Sequence, residues 1–132
     1  MKRVVTFIFV LMLFSATFFA GFIRSVVAQG TIYIRPDGSV DPSTMPIQRV
    51  GNTYTFTANI YDFIVVEKDN IVIDGVGYSL QGTGSGVGIN VTGSNITIKS
   101  MKITYFSRGI NLHLSSNNTI SGNSITNNEE GI

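Results

Sequence analysis

Residues 95–110, NITIKSMKITYFSRGI, and residues 117–132, NNTISGNSITNNEEGI, are two copies of one pattern. Aligned at a shift of 22, they share Asn95/Asn117, Thr97/Thr119, Ile98/Ile120, Ile103/Ile125, Thr104/Thr126, Gly109/Gly131 and Ile110/Ile132, seven identities in sixteen positions without a gap. Upstream, NIVIDGVGYSLQGTGSGVGINV puts Asn70, Ile71, Ile73, Gly88 and Ile89 in the same roles, with four extra residues absorbed by the Gly-rich GTGSGVG. Ile64 precedes Asn70 by six residues, as Ile89 precedes Asn95. A period of 22 to 25 residues therefore runs through most of the chain. Periods of this length mean stacked supersecondary units, none of which buries its apolar side alone.

The local pattern decides the kind of unit. NITIK, GINLHL and NIVID alternate at period two, are rich in Ile, Val and Thr, and are separated by Gly, Asn, Ser and Asp. Such alternation is that of half-buried strands, and no segment after residue 30 carries a helical stripe. Leucine-rich repeats have a similar length, but their Leu framework and helical side are missing. The expected fold is all-β: a right-handed single-stranded parallel β-helix of three to four coils, each contributing about three strands, with coils about 4.8 Å apart. Like residues then stack. Ile64, Ile89, Ile110 and Ile132 form one inward column, Ile73, Ile98 and Ile120 a second, and Ile103 with Ile125 a third beneath Tyr78 or Leu80. Alternation along GINLHL predicts Ile110, Leu112 and Leu114 inward, with Asn111 and His113 outward. Asn70, Asn95 and Asn117 form a structural ladder, because Asn tolerates left-handed backbone at a corner and stacked amides hydrogen-bond along the column. Asn118 replaces the Ile71/Ile96 position and is expected outward or polar.

These NITIKSMKI...GINL and NNTISGNSITNNEEGI blocks resemble the repeats of pectate-lyase-like right-handed parallel β-helix proteins, especially the NosD-like group of exported archaeal and bacterial proteins. The resemblance covers roughly residues 31 to 132. It implies export and a capping role for the N-terminal segment, giving residues 29–60 as capping strands and 61–132 as coils. Because the last Gly-Ile opens a strand without finishing it, the chain reads as truncated at its C-terminus. The resemblance leaves activity open, since members include polysaccharide-degrading enzymes, copper-maturation factors and surface proteins.

The N-terminus supplies an address. Lys2-Arg3 precedes twenty uncharged residues, Val4 to Ile23, and then RSVVAQG, with small or short residues before a cut after Ala28. Residues 1–28 read as a signal peptide or, if uncleaved, as a transmembrane anchor through residues 4–23. Either way residues 30 to 132 are expected outside the membrane, secreted or at the cell surface. Loss of residues 1–28 removes Lys2, Arg3 and Arg24 but no acid, leaving six basic against eight acidic residues. No clustered basic stripe suits nucleic acid. The absence of Cys excludes disulfides and thiolate metal sites.

Reaction signals are sparse. The carboxylates Asp62, Glu67, Asp69 and Asp74 do not form the paired or triple signature that polysaccharide hydrolysis needs, and Arg108 lacks a lyase motif around it. Asp74 in IDGVG reads as a turn residue and Glu67-Lys68-Asp69 as a solvated corner; a Ca²⁺ ion belongs, on this reading, only to a longer parent protein. His113 is the only His and has no partner in sequence for a metal site. No catalytic residue, metal ligand or cofactor is assigned. GTGSGVG lacks the Lys-Ser/Thr and helix of a phosphate loop. Sequons occur at Asn90, Asn95 and Asn117, and Asn90 is the candidate glycosylation acceptor because the other two belong to the ladder. Asn90, Asn111 and His113 are the candidate ligand-facing residues, and outward Thr97 and Thr119 are expected to add hydrogen bonding. The expected function is that of a non-catalytic module binding polysaccharide or another cell-envelope component. The alternatives are the N-terminal part of a polysaccharide lyase or glycoside hydrolase, and a NosD-like periplasmic copper-maturation factor.

Overall fold

The computed structural model describes residues 29–132; the expected leader, residues 1–28, lies outside the described residues. Thirteen strands follow one another along this span. They are β1 (Thr31–Ile34), β2 (Val40–Asp41), β3 (Ile47–Val50), β4 (Thr53–Phe56), β5 (Phe63–Val66), β6 (Ile71–Asp74) and β7 (Ser79–Gln81), then β8 (Val87–Val91), β9 (Ile96–Lys99), β10 (Lys102–Thr104), β11 (Arg108–Leu112), β12 (Thr119–Ser121) and β13 (Ser124–Thr126). Among the described residues no helix is long and apolar enough to cross a membrane.

Pairing runs between turns of the chain. β1, β5, β8 and β11 stack in parallel as one sheet, β4, β6, β9 and β12 as a second, and β7, β10 and β13 as a third. The result is a parallel β-solenoid of about three turns, of the right-handed type. At one end the pattern changes: β2 pairs antiparallel with β1, and β3 antiparallel with β4. This antiparallel cover is pinned by Tyr54, fully buried, whose hydroxyl donates to the Gly38 carbonyl at 2.7 Å, and by Arg49, whose Nη1 donates to the same oxygen at 2.8 Å. β1 and β4 are parallel rungs in their own right, so residues 29–60 begin the coil as well as covering it.

Stacked columns make the core. Ile32, Ile64, Ile89 and Ile110 lie in register and are fully buried. Tyr54, Ile73, Ile98 and half-buried Ile120 form the next column. Ile60, Leu80, Ile103 and half-buried Ile125 form the third; Leu80 therefore takes the place above Ile103, and Tyr78 is exposed. Burial of each aliphatic side chain stabilises the fold by roughly 1.5–3 kcal/mol, so these columns supply most of the cohesion. Ile132 follows Ile110 at the repeat spacing, and the Ile110 N–H donates to the Gly131 carbonyl at 3.0 Å, yet Ile132 is 63% exposed.

Corners rather than strands impose the Asn and Gly pattern. Asn70, Asn95 and Asn117 adopt φ of 57°, 58° and 56°, the left-handed region that Asn enters more readily than other side chains. Gly88 and Gly109 meet a different demand: a Cβ on Gly88 would lie 2.6 Å from the Gly109 carbonyl oxygen, and one on Gly109 would lie 2.7 Å from that of Gly131. The recurrent Gly-Ile is thus a backbone contact followed by a core residue. The expected alternation fails just beyond it. β11 ends at Leu112, which stacks in register on buried Val91 and so keeps the inward column, although it is 39% exposed, whereas Leu114 has φ 50°, is 91% exposed and does not face the core.

A second set of asparagines ties the last turn to the one above. Asn118, Asn123 and Asn128 stand 22 residues after Ile96, Met101 and Phe106, all buried. Their Oδ1 atoms accept from the backbone N–H of those residues at 3.0, 3.1 and 2.9 Å. Asn123 and Asn128 also donate through Nδ2 to the carbonyls of Ile98 and Ile103 at 2.8 and 3.1 Å. These amides therefore occupy backbone groups of the preceding corners that burial would otherwise leave without partners.

Candidate functional site

The outer face of the first sheet gathers two of the residues expected to meet a ligand. Tyr33, Val65, Asn90 and Asn111 form an outward column across β1, β5, β8 and β11. Asn111 Nδ2 donates to Asn90 Oδ1 at 2.7 Å, and Arg108 Nη1 donates to Asn111 Oδ1 at 3.1 Å. Arg108 also pairs with Glu130, its Nε donating to Oε2 at 2.7 Å, and this orients the guanidinium. At the cover end of the column, the Arg35 guanidinium lies 4.0 Å from the centre of the Tyr33 ring and bonds Asp41 at 2.8 Å. His113 is exposed just past the end of β11, where its backbone N–H donates to the Val91 carbonyl at 2.9 Å. The face thus carries two amides and two arginines, each arginine paired with an acid, so it is able to donate and accept hydrogen bonds while carrying little net charge.

The corner ladder is shorter than three residues. Asn95 Nδ2 donates to Asn70 Oδ1 at 2.7 Å, whereas the bonds one turn further down run from the Asn95 N–H to the Ser116 carbonyl at 2.9 Å and between Ser116 and Ser94. Asn117 keeps the left-handed corner without joining the side-chain ladder. Among the sequons, Asn95 has its Nδ2 committed to that ladder and Asn117 is exposed. Asn90 accepts through Oδ1 and is half-buried in mid-strand; its Nδ2 makes no hydrogen bond among the described residues.

The four carboxylates are dispersed, each on a local structural duty. Asp62 Oδ1 accepts from the Gly30 N–H at 2.7 Å, Asp69 Oδ1 from the Ser94 N–H at 2.7 Å, and Glu67 lies 3.5 Å from Arg35. Asp74 Oδ1 accepts from the Val76 N–H at 3.0 Å, and its other oxygen meets Lys99 Nζ at 3.1 Å. Burial raises the Asp74 pKa, but the Val76 N–H and the Lys99 ammonium outweigh it and hold the carboxyl below its ordinary value. Among the described residues no three His, Cys, Asp or Glu side chains come together as a metal site.

A cleft of about 460 Å³ opens where the cover meets the first turn. Met45, Pro46 and Ile60 make its apolar part, and Gln29, Asn59, Tyr61, Asp62, Gln81 and Thr83 its polar rim. Tyr61 is 60% exposed. Gln29 Oε1 accepts from Thr83 Oγ1 at 3.3 Å, while its Nε2 is the one buried side-chain polar atom without a partner among the described residues. No family model, curated protein or solved structure matches this chain. Strand register and burial carry the solenoid on their own.

Linear reading missed this cleft because its walls come from four separated segments. A signal did exist: Tyr61 is an aromatic outside the strand alternation, directly beside inward Ile60. The outward Thr97 and Thr119 are adjacent across β9 and β12 on another face, away from Asn90 and Asn111.

Proposed function

We propose that this chain is an exported or cell-surface β-helix module of the pectate-lyase-like, NosD-like type, whose outer strand faces bind polysaccharide or another cell-envelope component. The observation that carries the reading is the Asn90–Asn111 pair. Two amides joined at 2.7 Å and held by Arg108 present unspent hydrogen-bonding capacity on a flat face, with no further loss of side-chain freedom on binding. Such a surface suits a neutral, hydroxyl-rich polymer. The Lys2-Arg3 start and the apolar run from Val4 to Ile23 support export, and removal of residues 1–28 leaves a mildly acidic protein that does not attract polyanions.

The test is retention on a panel of immobilised neutral and acidic polysaccharides. The unmodified protein is expected to be retained by a neutral polymer, and Asn90→Leu/Asn111→Leu to lose most of that retention while keeping its far-ultraviolet dichroism. Failure of the unmodified protein to bind any polymer would overturn the proposal.

A further inference from the structure

The cleft between the cover and the first turn has the makings of a second binding site. Two rim side chains are already fixed: Asp62 Oδ1 accepts from the Gly30 N–H at 2.7 Å, and Asn59 Oδ1 accepts from the Ser79 N–H at 3.0 Å. Each is thereby oriented with one polar atom left over. Asp62 Oδ2 and Asn59 Nδ2 make no hydrogen bond among the described residues, and neither does Gln29 Nε2, which is buried. Asn59 and Asp62 thus give the cleft one free donor and one free acceptor, beside an apolar floor from Met45 and Ile60 and an exposed aromatic ring, Tyr61. An apolar surface with a few convergent, oriented polar groups is the usual make-up of a small-molecule site.

From this arrangement we infer that the cleft binds a single neutral sugar residue, its C–H face on Tyr61 and its hydroxyls on Asn59 and Asp62. Hydroxyls both donate and accept, which the amide donor and the carboxylate acceptor require together. Charge narrows the class. The lining contains Asp62 and no Lys or Arg, so the carboxylate of a uronic acid meets a like charge without compensation. The site selects neutral sugars over uronic ones. The inference rests on the saccharide reading above but concerns a different surface, which takes the end of a chain or a short oligosaccharide, while the Asn90–Asn111 face takes extended polymer.

Calorimetric titration of the purified protein with short neutral oligosaccharides (gluco-, manno- and xylo-series) and with oligogalacturonates tests it. A neutral series is expected to bind at least about tenfold more tightly than the uronates, and Tyr61→Ala to weaken that binding by about tenfold or more. Asp62→Asn is expected to narrow the gap between neutral and acidic ligands, a change that loss of structure does not produce. Tyr61 is exposed, so its truncation leaves the core columns intact. If Asn90→Leu/Asn111→Leu abolishes oligosaccharide binding and Tyr61→Ala leaves it unchanged, the cleft is not the site although the polysaccharide reading survives. Preference for oligogalacturonates overturns the inference through its charge argument, and absence of binding to both polymer and oligosaccharide overturns both proposals.

Discussion

Asparagine does three different things in this chain, and position along the coil determines which. At Asn70, Asn95 and Asn117 it carries a left-handed corner; at Asn90 and Asn111 it faces solvent; at Asn118, Asn123 and Asn128 it bonds the backbone one turn above. The corner role separates from the ladder role by substitution. Asn95→Ala is expected to destabilise by about 1–2 kcal/mol or more, since a Cβ without a local polar partner disfavours this backbone. Asn95→Gly removes that backbone strain and loses only the bond to Asn70, so urea denaturation should rank glycine above alanine. A carboxylate supplies the pH dependence at this scale. Asp74 has its pKa lowered in the fold, so its stabilising contribution is present above the unfolded value of about 3.9 and is lost as pH falls through the lower folded value. Thermal unfolding followed from neutral to acid pH should show Asp74→Asn less stable than the parent near pH 7 and the two converging in acid. The corner asparagines were legible because they recur with the repeat. The bonds made by Asn123 and Asn128 were not, because nothing in a sequence says that an inward amide will find the backbone of another turn.

The element that matters is the rung, and its register depends on close backbone approach. Gly88 and Gly109 lie where the next rung's carbonyl comes within reach of a Cβ, and Gly88 also faces the Phe106 ring. Gly88→Ala should therefore force β8 away from β11 and cost about 1–3 kcal/mol, as overpacking does, with a lowered melting temperature as the readout. The period-two pattern identified the rungs and their inward faces correctly for Ile64, Ile89 and Ile110. It held at Leu112, which stacks on Val91, and failed at Leu114 for a physical reason. A strand ends when its partner ends, and β8 stops at Val91, leaving no rung beside residues 113 and 114. Hydrophobicity read along one segment contains no information about where the neighbouring segment turns.

At the scale of the whole molecule, stability is close to a sum over turns, because each turn contacts only the next. The turn containing β6 and β8 is paired on both sides, while Ile120 and Ile125 in the last turn are only half-buried. Hydrogen exchange of the 132-residue chain should show a gradient, with amides of β6, β8 and β9 slowest and those of β12 and β13 fastest. Uniform protection across all rungs would contradict it. Fold class was readable at this scale because a repeat multiplies a weak local signal. The cleft was not, since residues 29, 45–46, 59–62 and 81–83 meet only after the cover has been laid over the first turn.

The Gly-rich corner between β7 and β8 lengthens one turn, yet Ile64, Ile89 and Ile110 remain stacked on each other. Thr83, Gly84 and Ser85 are exposed there, and a Cβ on Gly84 would meet open space. Chain length at this corner is therefore decoupled from the order of the core. A foreign epitope spliced between Gly84 and Ser85 would be carried on a rigid scaffold that does not need to be redesigned to display it.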